Sequence, residues 1–160
     1  MLFMLWKNRV LACSCVLTMS SVNAQQNCLA RIEIESLLAI QQSIAYAASS
    51  YECQAFSDGK LDTYEMHEAF IEKWSANLQQ YFDAREELYK KLYGAEFRKV
   101  IEREQQRSME KELATFEPSE ELCRIIKTEI SLRTKNWQRF ADSIRAEAMS
   151  TKYDKQRCKE

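Results

Sequence analysis

The sequence predicts an all-α fold, and three observations lead to this prediction. Glycine and proline are rare, since only Gly59, Gly94 and Pro118 interrupt the chain. Most other positions carry Ala, Leu, Glu, Lys, Gln or Arg, which are strong helix formers. Apolar residues recur at helical spacing over long segments, and no stretch alternates convincingly as a strand does.

This periodicity predicts four helices, at about 29–52, 63–92, 95–116 and 120–148. The apolar stripe of the first helix continues to Tyr51, and no charged residue stands between Ser36 and that position. An uncharged helix is typical of a central position that neighbours cover on most sides. The alternative is an uncharged face that binds a partner.

Residues 1–24 are predicted to be a signal peptide. Two basic residues precede an uncharged, mostly apolar stretch at 10–19, and small residues then lead to cleavage after Ala24. We therefore expect a periplasmic or secreted protein whose residues 25–160 form a single helical domain. No transmembrane segment is expected after cleavage. Lipidation at Cys13 is a less favoured alternative, because almost no hydrophobic core would precede it.

The charge balance bears on the class of partner. Loss of residues 1–24 removes two basic residues and no acidic one, so the net charge becomes −3. A net negative chain is a poor general binder of nucleic acid, so no nucleic-acid partner is predicted. The C-terminal tail is mildly basic, and we expect it to be a solvated, frayed end; contact with an anionic surface is the less favoured alternative. Its basic residues are Lys152, Lys155, Arg157 and Lys159.

Four cysteines remain after cleavage, which in an exported chain predicts two disulfides. A continuous first helix would place Cys28 and Cys53 about 37 Å apart. A disulfide needs its Cα atoms within about 7 Å, so these two residues cannot pair.

The other pairings depend on whether the chain reverses at Gly94. One long kinked helix across 62–116, within a three-helix fold, would make two internal disulfides impossible. A reversal would instead bring the cysteines together in pairs at the two ends of an up-down four-helix bundle, so the cysteines favour the bundle. The predicted disulfides are Cys28–Cys158 and Cys53–Cys123.

The segment from Asp58 to Glu65 resembles the second half of an EF-hand calcium loop. Asp58, Asp62 and Glu65 are therefore weak calcium candidates. Gln54 and Phe56 stand where the first ligands of such a loop belong, so no metal site is predicted. A simpler interpretation is a turn at Asp58, followed by a capping box that Asp62 and Glu65 form at a helix start.

Catalytic patterns are lacking in the sequence, and we predict neither an enzyme nor a cofactor. His67 is the only histidine and is expected to be a solvated helix residue. There is no Gly-x-Ser-x-Gly turn, phosphate-binding glycine loop or haem motif. Glu33 and Glu35 fall on different helix faces, so they form no evident acid–base pair. The large aromatic residues expected in the core are Trp74, Tyr81 and Trp137.

By elimination, the sequence predicts an exported, non-enzymatic helical module that binds a protein in the envelope or the extracellular space. An inhibitor or immunity protein of the cell envelope is one concrete form of this function. The alternatives are a periplasmic adaptor or chaperone-like structural protein, and a carrier of a small ligand between the helices. The sequence does not identify the binding residues.

Overall fold

The structure, a computed structural model, describes residues 28–153 and 156–158. Within these residues it contains helices and no strand, so the predicted all-α fold is confirmed. Short 3₁₀ turns lie at Gly94–Glu96 and Thr151–Tyr153. The α-helices, in chain order, are α1 (Arg31–Phe56), α2 (Thr63–Lys73), α3 (Ser75–Tyr93), α4 (Phe97–Thr115), α5 (Glu120–Lys135) and α6 (Trp137–Ala148).

Some of the sequence-based predictions concern residues that the structure does not describe. The signal peptide at 1–24, its cleavage after Ala24 and the alternative at Cys13 lie outside the described residues, as do Lys155 and Lys159. Among the described residues, no helix combines the length and the apolar character that crossing a bilayer requires.

Helix α1 lies at the centre of the fold and contacts each of the other five α-helices. Its buried residues Ile34 and Leu38 pack in a core with residues of α2, α3 and α6. Small residues on the same helix, such as Ala39 and Ala48, are also buried and allow neighbours to approach closely. The central position of α1 explains why no charged residue stands between Ser36 and Tyr51.

A second core lies toward the C-terminal end of α1 and joins it to α5. Tyr46 and Cys53 of α1 pack there with Cys123, Ile126 and Ile130 of α5. Leu61, Met66, Phe116 and Leu122 pack against this cluster from the side. The loop at 57–62 and the start of α2 are therefore fastened to the same end of the molecule as the second core.

Two of the four predicted helices are divided, which corrects the sequence-based boundaries. Trp74 separates α2 from α3 as a kink: its N–H still donates to the Phe70 carbonyl (3.1 Å), and its carbonyl accepts from Leu78 N (2.9 Å). Asn136 separates α5 from α6 with an extended backbone, and its side-chain oxygen accepts from Gln138 N at 3.0 Å. Asparagine is among the best N-cap residues, so it starts a new helix there.

The chain reverses at Gly94, where φ is +54° and a residue with a side chain would be strained. The Tyr89 hydroxyl of α3 donates a hydrogen bond to the Glu104 carboxylate of α4. These residues would lie about 22 Å apart in an unbroken helix. The single long helix across 62–116 is therefore absent. Because two predicted helices are divided, the exact up-down order of a four-helix bundle stays a prediction.

Both predicted disulfides are present. Cys28 and Cys158 have Cα atoms 4.7 Å apart, and those of Cys53 and Cys123 are 5.3 Å apart. Cys53 and Cys123 are completely buried in the second core. Helix length and one reversal were thus sufficient to select the correct pairing.

Residues 156–158 are held against the start of α1 by hydrogen bonds and a disulfide. Leu29 N donates to the Gln156 carbonyl (2.6 Å), and Cys158 N donates to the Leu29 carbonyl (3.0 Å). The Arg157 guanidinium donates to the carbonyl of Ala148 at 2.8 Å. The prediction of a solvated end is therefore wrong for Arg157, because backbone pairing and a disulfide hold this segment against the start of α1.

Candidate functional site

The two acidic residues near the start of α1 are both buried and both engaged. Glu33 accepts a hydrogen bond from Ala30 N (2.7 Å) and forms an ion pair with Lys91 of α3 (2.8 Å). Glu35 pairs with Arg31 at 2.7 Å. A carboxylate near a helix N-terminus also interacts favourably with the helix dipole. These contacts give both residues a role in fixing the start of α1.

The calcium candidates do not converge on one point. Asp62 forms an ion pair with Lys127 of α5 (2.6 Å), and this hydrogen bond lowers the pKa of Asp62. Glu65 accepts from the Gln54 side-chain amide at 2.9 Å. Asp58 has a φ of +52° within the turn. Among the described residues, no group of three or more His, Cys, Asp or Glu side chains is placed to hold a metal ion.

The start of α2 is capped by a residue of α1, and the predicted capping box is wrong. Asp62 is the N-cap residue, but its side chain makes no capping hydrogen bond because it binds Lys127 instead. The Gln54 side-chain oxygen accepts from Tyr64 N at 3.0 Å, while its amide donates to Glu65. Gln54 therefore accepts a backbone hydrogen bond from the first turn of α2 and joins that turn to α1.

A small cavity lies inside the molecule, where α1, α2, α5 and α6 meet. Its volume is about 10 Å³, which is close to the smallest cavity that can hold a water molecule. Ligand pockets measure about 300–1,000 Å³, so this space holds no substrate. The lining residues are Ser43, Tyr46, His67, Phe70, Ile130, Arg133 and Phe140.

His67 is buried beside this cavity, with 6% of its surface exposed. The prediction of a solvated histidine is therefore wrong. Burial lowers the pKa of His67 to about 4, and the neighbouring Glu68 only partly opposes this shift. Thr63, His67 and Phe70 are spaced at i, i+4 and i+7, and all three are buried on the inner face of α2. This spacing in the sequence could have predicted that His67 is buried.

Arg133 holds α5 against α1 in the same region. Its guanidinium lies 4.3 Å from the ring centroid of Tyr46 and 5.5 Å from that of Phe140. Burial lowers the pKa of Arg133 and raises the pKa of Tyr46. Glu129, also buried, pairs with Arg139 at 2.9 Å. This group is a stack of charged and aromatic side chains that joins helices.

Because His67 is buried, we expect it to make the free energy of unfolding depend on pH. A pKa below the unfolded value of about 6.5 means that the unfolded chain binds the proton more tightly. The contribution of neutral His67 to the free energy of unfolding is therefore complete above pH 6.5. It is lost as the pH falls towards about 4. We expect a loss of about 3 kcal/mol over this range.

Urea unfolding of the wild type and of His67→Gln at pH 7 and pH 4 measures this loss. Glutamine does not titrate, so the variant is expected to lack this part of the pH dependence. Equal pH dependence in the two proteins would show that His67 does not cause it.

Two tyrosines form an exposed aromatic pair on the outer surface. Tyr51 of α1 is 57% exposed and Tyr64 of α2 is 37% exposed. Their ring centroids lie 6.3 Å apart in an edge-to-face arrangement. Tyr51 ends the predicted apolar stripe of α1, but α2 leaves it uncovered, so the cover that neighbours give to α1 does not extend to this position.

Acidic side chains adjoin this pair. Glu68 lies one helical turn beyond Tyr64, and its carboxylate raises the pKa of the Tyr64 hydroxyl. Glu65, also exposed, adds to the negative charge near the ring. We call Tyr51, Tyr64, Glu65 and Glu68 the Tyr51–Tyr64 face.

Comparison of the chain with protein-family models, with curated proteins and with solved structures gave no match.

Proposed function

We propose that this chain is an exported, non-enzymatic helical module that binds another protein in the periplasm or outside the cell. The observation that carries the proposal is the exposed Tyr51–Tyr64 pair. Tyrosine is enriched among the residues that dominate binding energy at protein interfaces. It also offers a large contact area at a low cost in conformational entropy.

Hydrogen bonds and a disulfide fix the backbone near the two tyrosines, and this rigidity also supports a binding role. The Thr63 hydroxyl donates to the Ser50 carbonyl at 2.7 Å, one residue away from each tyrosine. Gln54 bonds to α2, and the adjacent Cys53 is joined to α5 by its disulfide. A pre-organised surface loses little conformational freedom on binding, so more of the contact energy contributes to affinity.

The compartment in the proposal is supported by the two disulfides, which are typical of proteins that fold in oxidising environments. The predicted signal peptide at 1–24 is the second support. Together they favour the periplasm or the extracellular space over the cytoplasm.

Among the forms of this function, an inhibitor or immunity protein fits a fixed aromatic pair best, because such a surface suits one defined partner. An adaptor or chaperone-like protein would favour a flexible apolar surface that can repack on many clients. The cavity beside His67, of about 10 Å³, gives a small-ligand carrier no support, because ligand pockets measure about 300 Å³ and above.

Site-specific photo-crosslinking tests the proposal. A benzophenone amino acid is placed at position 51 or 64 of the disulfide-bonded 25–160 chain, and envelope and culture-medium fractions are irradiated with it. The control position is Phe82 of α3, which is 40% exposed. We expect one protein to be captured from positions 51 and 64 and not from 82. Equal capture at all three positions, or none, would contradict a binding role for the pair.

Tyr51→Ala combined with Tyr64→Ala should weaken binding of the captured protein by about 2–4 kcal/mol, because two anchor residues are removed together. Isothermal titration calorimetry with the purified partner measures this loss. Phe82→Ala is the matched control and should leave the affinity unchanged. A 1:1 complex supports an inhibitor, whereas many weak complexes favour the chaperone-like alternative.

A further inference from the structure

We propose that the Tyr51–Tyr64 face docks against a cationic protein surface, with lysine or arginine side chains of the partner between its tyrosines and glutamates. This inference rests on the proposed function and names the chemistry of the partner. It combines two features, an exposed aromatic pair and a concentration of exposed acidic residues on the same face of α2.

The charge is concentrated in one stretch of chain. Positions 51–72 contain six acidic residues and one basic residue, Lys60. Asp62 is neutralised by Lys127 of α5. No ion pair joins the other five acidic residues to a lysine or arginine of the described chain; they are Glu52, Asp58, Glu65, Glu68 and Glu72.

Three of these acidic residues share the outer face of α2 with Tyr64. Glu65, Glu68 and Glu72 are spaced three and four residues apart, which places them side by side along the helix. All three are exposed, and Glu68 follows Tyr64 by four residues, which places it next to the tyrosine on the helix surface. The negative charge therefore adjoins the aromatic rings directly.

A cationic partner suits this arrangement for three reasons. Like charges on one helix face repel each other, and opposite charges from a partner relieve that repulsion. Complementary potentials steer association and suppress binding to anionic surfaces. Guanidinium and ammonium groups also bind the faces of tyrosine rings. An acidic protein, a nucleic acid or an anionic membrane would be repelled.

Selection from a phage-displayed library of random dodecapeptides tests the sign of the charge without assuming a partner. The library is panned on the disulfide-bonded 25–160 chain and counter-selected on the Tyr51→Ala/Tyr64→Ala variant. Peptides that need the tyrosines are expected to carry a net positive charge. Recovery of neutral or acidic peptides, or of none that depend on the tyrosines, would overturn the inference.

One selected peptide is then synthesised without the phage and titrated into the protein, which tests whether the glutamates contribute to its affinity. Glu65→Gln combined with Glu68→Gln should weaken binding about tenfold at low salt, and the difference should shrink at high salt because exposed charges are screened. Glu102→Gln with Glu110→Gln, exposed on α4, is the charge-matched control. An unchanged affinity in the Glu65/Glu68 variant would also overturn the inference. Capture of an anionic protein from positions 51 and 64 would overturn it while supporting the proposed function.

Discussion

Replacement of Cys53 and Cys123 together by alanine is expected to lower the free energy of unfolding by about 4 kcal/mol. The two residues are 70 positions apart. A disulfide over such a separation removes much of the conformational entropy of the unfolded chain. Both sulfurs are buried in the second core, so alanine also leaves a small cavity.

Urea unfolding monitored by circular dichroism measures this loss. The companion variant Cys28→Ala/Cys158→Ala removes the other disulfide and leaves the second core intact. Only the Cys53/Cys123 variant should also weaken the binding proposed for the Tyr51–Tyr64 face. A change in unfolding free energy below about 1 kcal/mol would contradict the expected loss, which lies within the usual range for disulfides.

Phe140→Ala is expected to destabilise the protein by about 4 kcal/mol. Phe140 is buried where three parts of the fold meet. Its ring centroid lies 5.5 Å from that of Phe70 on α2 and 5.2 Å from that of Trp137 on α6. The Arg133 guanidinium of α5 lies 5.5 Å from the same ring. Truncation removes these contacts and leaves a cavity that the surrounding helices cannot fill completely.

Thermal and urea unfolding provide the measurement. Phe82→Ala, an exposed change of the same size on α3, should alter stability by no more than about 0.5 kcal/mol. Phe140→Leu should fall between the two because it retains part of the buried volume. Similar stabilities for Phe140→Ala and Phe82→Ala would show that the first core does not depend on this ring.

The sequence predicted the features that depend on local periodicity and chain length. The all-α fold followed from the shortage of glycine and proline, and the disulfide pairing followed from the length of α1 and a reversal at Gly94. The breaks at Trp74 and Asn136 were missed because apolar spacing continues across both positions, although an asparagine can cap a new helix.

The candidate site was harder to predict because it depends on contacts between distant residues. Asp62 and Lys127 are 65 positions apart, so nothing local indicated that this ion pair would replace a capping box. His67 stands between glutamates at 65 and 68, which suggested exposure, but the packing of α2 on α1 buries it. Tyr51 fits an apolar stripe, and only the position of α2 leaves it exposed.

The disulfide between Cys28 and Cys158 also determines how the protein can be attached to other molecules. It holds residues 28 and 158 together at the N-terminal end of α1. Tyr51 lies 20 residues along this helix from Arg31, which corresponds to about 30 Å. A fusion partner, a surface linker or a fluorescent label joined near residue 28 or 158 is therefore held well away from the tyrosines. Immobilising the protein through that end would present the tyrosines to the solution, and two copies joined there would each keep the Tyr51–Tyr64 face exposed.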